Sequence, residues 1–305
     1  MYDIIIVGSG PAGLTSALYA CRAEKRVLVL EKETFGGQIT YSPKVENYPG
    51  FLEMSGNEFA EKLLSQVLEQ GAEIELETVQ SITPQNVGFL VETDCQSHQS
   101  RSVILATGSK HRQLGLPKEQ QFTGNGVYYC AVCDGAFQAG KEVCVIGGGN
   151  TALQDAVLLS GICKTVHIIQ DLPELTGEQR LVSALAQKNN VTVTTSTVVD
   201  ALLGEDAFSG VRLRNTKTGQ VKELPVSGIF VAIGQVPENT AFAPVASLDE
   251  RGYLVSGEDC LTKTDGIFVA GDCRTKQIRQ ITTACGDGAV AALAACRYLD
   301  RGKIV

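Results

Sequence analysis

Two cysteines three positions apart carry the most pointed chemistry in this chain. Cys130-Ala131-Val132-Cys133 puts two sulfurs within bonding reach, so the pair can cycle between dithiol and disulfide. One thiolate attacks an external disulfide and its neighbour resolves the mixed disulfide. Asp134 follows at once and can give or take the proton that exchange moves. The competing use of a CxxC is half of a metal site. The ten cysteines contain no second CxxC, and His98, His111 and His167 are far apart in sequence. A structural zinc or an iron–sulfur cluster is therefore disfavoured.

A second set of residues suits a dinucleotide. Gly8-Ser9-Gly10-Pro11-Ala12-Gly13 follows the apolar run at 4–7 and precedes a helix-like stretch at 14–21. Glycines there let the backbone approach a pyrophosphate at a helix N-terminus. Glu31 ends the next apolar strand, 27–30, and can accept both ribose hydroxyls of an adenosine. The alternative is a tight strand–helix turn with a surface glutamate. The same pattern returns at 143–169, with Gly147-Gly148-Gly149-Asn150-Thr151-Ala152 as its turn. Its strand end reads Gln170-Asp171-Leu172, and no lysine or arginine occurs from Thr165 through Glu178. A 2′-phosphate needs positive charge there, and Asp171 repels it, so NADPH is disfavoured. NADH stays open because Asp171 can accept ribose hydroxyls. A turn that binds nothing stays open too.

Elements must position these groups. Two strand–turn–helix–strand units imply an α/β chain with two doubly wound, Rossmann-like domains. The runs 103–108, 229–234 and 267–272 each end a strand on glycine or Gly-Asp. If the last joins the first sheet, the middle domain is inserted in the first. The expected division is 1–113 with 241–305, and 114–240 between them. Linkers fall near Leu114-Gly115-Leu116-Pro117 and Gln235-Val236-Pro237-Glu238. A length of 305 residues, 44% hydrophobic and 20% charged, supports two folded domains and excludes disorder as the main theme. The net charge of −8, without a run of five like charges, disfavours nucleic acid. The N-terminus has neither a basic n-region nor a long apolar stretch, so a cytoplasmic protein without a membrane span is expected. Cysteines there stay mostly reduced, and the other eight read as small core residues. Lys110-His111-Arg112 reads as a solvated loop.

Together these motifs resemble the low-molecular-weight thioredoxin reductase family over essentially the whole chain. Gly8 to Gly13 looks like its FAD fingerprint. Gly36-Gly37-Gln38-Ile39 and Val45-Glu46-Asn47-Tyr48-Pro49-Gly50 resemble two flavin-side loops, and Thr107-Gly108 its strand-end motif. Gly271-Asp272 with Arg279-Gln280-Ile281 is similar to its C-terminal flavin segment. The resemblance implies FAD contacts from Gly8, Ser9, Gly10, Pro11, Ala12, Gly13, Glu31, Lys32, Gly37, Gln38, Thr40, Asn47, Val79, Thr107, Gly108, Asp272, Arg279, Gln280 and Ile281. It implies that Cys133 faces the flavin, that Cys130 attacks a thioredoxin disulfide, and that Asp134 moves the proton. It also implies a homodimer whose inserted domain rotates. One segment departs from the family. Its His-Arg-Arg-x-x-x-Arg pattern is replaced by Gln170, Asp171, Leu172 and Thr176. That resembles a divergent subgroup reduced by ferredoxin, with electrons entering FAD directly. An acidic ferredoxin would want a local basic patch for docking, which the net charge does not advertise. Reduction by NADH, or a dithiol oxidase passing electrons to oxygen, would fit the same residues.

Overall fold

The computed structural model describes residues 1–42 and 45–301. The chain divides into two compact units: 1–110 with 236–305, and 111–235. Among the described residues no helix is long and apolar enough to cross a membrane.

In the first unit the strands Tyr2–Val7, Val27–Glu31, Glu73–Leu76 and Ser97–Leu105 run parallel. Ile267–Val269 pairs in parallel with Ser97–Leu105, bringing Phe268 opposite Ile104. One sheet therefore draws strands from both ends of the chain, and the second unit is an insertion in the first. Phe89–Thr93 and Val79–Pro84 add an antiparallel edge. The central strands are continuously apolar because both sheet faces are covered. Ile4, Ile6, Val27 and Val29 face the helices Pro11–Arg22 and Ile281–Asp300. Ile5, Val7, Leu28 and Leu30 pack instead with Phe242, Val245 and Leu254. The two helices meet closely: a Cβ on Gly288 would stand 2.3 Å from the Ala12 carbonyl oxygen.

The second unit repeats the plan. Val127–Tyr128, Gly228–Val231, Glu142–Ile146, Thr165–Ile169 and Val191–Thr194 form a parallel sheet in that order. The helix Asn150–Ser160 buries Ala152, Leu153, Ala156 and Leu159 against Val143, Val145 and Val166. A three-stranded antiparallel sheet, Thr197–Leu203, Gly210–Asn215 and Val221–Pro225, covers the other face through Val199, Leu202 and Val211. The sequence reading did not anticipate this layer.

Of the eight cysteines outside the CxxC, Cys144, Cys163, Cys260, Cys273 and Cys296 are buried, and Cys21 and Cys285 are half-buried. Cys95 departs from the core expectation and lies exposed in the turn joining Phe89–Thr93 to Ser97–Leu105. The basic cluster departs in part from a solvated loop: the His111 ring packs 5.4 Å from that of Tyr129.

Candidate active site

Cys130 and Cys133 are joined as a disulfide, with Cα atoms 5.2 Å apart. The short helix Ala131–Asp134 makes that spacing, since one helical turn brings residues three apart together. The Cys133 N–H donates to Cys130 Sγ at 3.2 Å. The segment is seated firmly. A Cβ on Gly135 would lie 3.0 Å from Leu159 Cδ2, so glycine lets the redox turn lie flat on the helix Asn150–Ser160. Gln138 ties it further, donating to Tyr128 Oη at 2.9 Å and accepting from Ser227 Oγ at 2.8 Å. Both sulfur-bearing residues remain half-exposed.

Asp134 is buried, and its Oδ1 has no partner among the described residues. Burial disfavours the charged form and pushes its carboxyl up to about 6. A group poised there can hold or release a proton near neutrality. Asp155, on the helix beneath, is likewise pushed up by burial, to about 7. Nothing in its sequence context marked it.

The first glycine turn fits a dinucleotide sterically. Gly8 has φ +104, and a Cβ there would meet the Ala106 carbonyl oxygen at 2.4 Å. A Cβ on Gly13 would meet the Gly8 carbonyl oxygen at 1.9 Å. Gly10 caps the helix Pro11–Arg22, whose first N–H groups are free of side-chain caps. Glu31 Oε2 accepts from Ser9 N and Ser9 Oγ, both at 2.8 Å, while Oε1 accepts from the amides of Lys32 and Glu33. The strand-end carboxylate is thus locked to the turn.

Residues distant in sequence gather around it. The Gly36 N–H donates to the Ser9 carbonyl, and a Cβ on Gly37 would lie 3.1 Å from Gly10 Cα. Gln38 shares the short helix Gly37–Tyr41, and Thr40 Oγ1 donates to the Gly37 carbonyl at 2.8 Å. Asn47 Nδ2 donates to Gln280 Oε1 at 3.2 Å, and Gln280 caps the helix that Ile281 opens. Thr107 Oγ1 donates to Asn239 Oδ1 at 2.7 Å, and Asn239 Nδ2 in turn donates to the Cys273 carbonyl. Gly108 follows with φ +68. Arg279 Nε donates to the Asp272 carbonyl at 3.2 Å. Asp272 Oδ1 is buried without a partner among the described residues, its carboxyl pushed up to about 6 by burial and pulled down by Lys276 and Arg279. An orphaned buried carboxylate oxygen beside a glycine cradle suits a polyhydroxyl chain, which supplies donors. Lys32 pairs with Glu238, and Val79 packs at the edge of the apolar core. Sequence reading missed Asn239, Arg274 and Asp287, which meet Thr107, Asp287 and Gly271 respectively only through the fold.

The second glycine turn copies the first. Gly147 has φ +125, and a Cβ there would meet the Ala232 carbonyl oxygen at 2.5 Å. The strand end differs. Gln170 is buried against Gly148 and donates to the Glu174 carbonyl at 3.3 Å. The amides of Thr176 and Gly177 donate back to the Gly148 carbonyl at 2.8 and 2.9 Å. Asp171, Glu174 and Glu178 are exposed around it. The nearest following cation, Arg180, is paired with Glu178 at 2.6 Å.

Comparison with known proteins bears on this arrangement. Residues 2–288 match the family described as pyridine nucleotide-disulphide oxidoreductase. A thioredoxin reductase of Treponema pallidum is 42% identical over 300 residues, 98% of this chain and 97% of that protein. The 34.2 kDa protein in the rubredoxin operon of Clostridium pasteurianum is 37% identical, covering 97% of each. The crystal structure of thioredoxin reductase from Streptococcus pyogenes superposes with a TM-score of 0.93 at 37% identity, covering 99% of each chain. With the redox disulfide and the two glycine turns in place, the chain belongs to the pyridine nucleotide-disulphide oxidoreductases, and within them to the FAD-binding thioredoxin reductases.

Proposed function

We propose that this protein reduces the disulfide of a thioredoxin or thioredoxin-like protein through Cys130 and Cys133, and that ferredoxin rather than NADPH supplies its electrons. The single observation that carries the donor assignment is the strand end at Gln170-Asp171-Leu172. It offers no cation to a 2′-phosphate and presents Asp171, Glu174 and Glu178 instead. Two like unit charges about 4 Å apart repel by roughly 1 kcal/mol in water and roughly 4 kcal/mol at a protein surface. A doubly charged phosphate among these carboxylates would meet that penalty more than once.

FAD would be held by the Gly8–Gly13 turn, with Glu31 at the ribose end and Asp272 toward the ribityl chain. Bound FAD would supply the electron pair that opens the Cys130–Cys133 bond. The protein's own residues then perform the exchange. The Cys130 thiolate attacks one sulfur of the partner disulfide, which breaks, and a mixed disulfide forms. Asp134 gives a proton to the departing partner thiolate. The Cys133 thiolate attacks Cys130 Sγ, re-forms the internal disulfide and releases the partner as a dithiol. One enzyme dithiol and one partner disulfide thus become one enzyme disulfide and one partner dithiol.

The test is thioredoxin reduction under anaerobic conditions with reduced ferredoxin. Wild type should turn over, while Cys133→Ser should keep its flavin and stall as a mixed disulfide with no net turnover. Turnover surviving in Cys133→Ser would overturn the redox assignment. NADH as donor is the second reading, favoured only by the exposed carboxylate of Asp171.

A further inference from the structure

The turn that carries Asp272 rests on an unusual charge cluster. Asp287, on the helix Ile281–Asp300, is 7% exposed. Its carboxylate accepts from Arg274 Nε at 2.8 Å and Arg274 Nη2 at 2.9 Å, a fork-like pair. It also accepts from Lys276 Nζ at 2.9 Å and from the Gly271 N–H at 3.0 Å. Arg274 is 2% exposed, and the Lys276 side chain is 6% exposed. Two buried cations therefore share one buried carboxylate. The other carboxylate within reach of Arg274, Glu258 at 3.3 Å, lies out in solvent.

Stability alone is a poor reason to keep such a cluster, because desolvation offsets much of the attraction between buried charges. Its geometry gives a better one. Asp287 grips the amide of Gly271, while Arg279 grips the carbonyls of Asp272 and Arg274. Gly271 has φ +82, and a Cβ there would come within 2.7 Å of Ala12 Cβ. The turn is held from both sides against the first turn of the helix Pro11–Arg22. The residue so clamped next in line is Asp272, with its buried unpartnered oxygen.

We propose that Asp287 is a positioning residue for the flavin: held between Arg274 and Lys276, its carboxylate fixes the Gly271 N–H and thereby the aim of Asp272. This rests on the reading that FAD occupies the first glycine turn. A residue whose rotamer is locked by supporting bonds holds its ligand more tightly than one left to fluctuate.

The experiment compares holoprotein of wild type, Asp287→Asn and Lys276→Gln. FAD release on serial dilution is followed by the rise in flavin fluorescence, and the visible spectrum of the bound flavin is recorded. Asp287→Asn preserves shape but cannot balance two cations. Its FAD dissociation constant should rise about tenfold or more, with a displaced visible band. Lys276→Gln, which keeps the Arg274–Asp287 fork, should move both readouts in the same direction by less. It decides the matter if Asp287→Asn does not fold. Wild-type affinity and an unchanged spectrum in the folded variants would overturn the inference while leaving the FAD reading intact. A wild-type protein with no affinity for FAD would overturn that reading, and this inference with it.

Discussion

Asp134 lies next in sequence to Cys133, buried and without a hydrogen-bond partner for Oδ1 among the described residues, so its titration should be visible in both rate and stability. Its folded carboxyl titrates near 6, against an ordinary value of 3.8. Between those values the folded protein binds more protons than the unfolded one. Stability therefore falls as pH rises through that window, and the penalty is complete above about pH 6. Asp134→Asn should raise the melting temperature by roughly 2–4 °C at pH 7.5 and leave it unchanged near pH 3. The same variant should lose the inflection near pH 6 in kcat/KM for the partner disulfide. A wild-type pH profile in Asp134→Asn would remove this residue from proton transfer. At this scale the sequence was legible where chemistry sits in neighbouring positions, as in Cys130, Cys133 and Asp134. It was silent on Asp287 and Asn239, since their partners at 271–276 and at 107 meet them only in the folded chain.

The glycine turns argue at the scale of elements. Strand, turn and helix were readable in both copies because buried parallel strands are apolar throughout and the turns need glycine. The antiparallel sheet at 197–225 was not anticipated, since its strands are only partly buried and mix polar and charged residues among the apolar ones. Gly13 tests the first turn. No real Cβ approaches a carbonyl oxygen at 1.9 Å, so Gly13→Ala must push the helix Pro11–Arg22 away from Gly8. Overpacking of this kind costs about 1–3 kcal/mol. The variant should purify largely without FAD and regain little colour when FAD is added. Full retention of flavin by Gly13→Ala would contradict the placement of the cofactor at this turn.

The whole molecule joins one nucleotide turn with a carboxylate lock at Glu31 to a second whose strand end carries no cation. Sequence pattern made this legible, because the absence of Lys and Arg from 165 to 178 needs no structure to see. The fold adds that Gln170 is buried against Gly148 and that Arg180, the next cation along the chain, is paired with Glu178. We also propose that the protein acts as a homodimer. Supporting this are the exposed apolar side chains of Tyr41, Phe51 and Leu52 in the first unit. Sedimentation should give about twice the 32.4 kDa chain mass, and a monomer at micromolar concentration would contradict it.

The most direct test of the account is anaerobic bleaching of the bound flavin, followed by its visible absorbance. NADPH, NADH and reduced ferredoxin are each added to separate samples of oxidised protein. Reduced ferredoxin should bleach the flavin rapidly and NADPH should not, and the oxidised band should recover when thioredoxin disulfide is added. Rapid bleaching by NADPH would contradict the donor assignment.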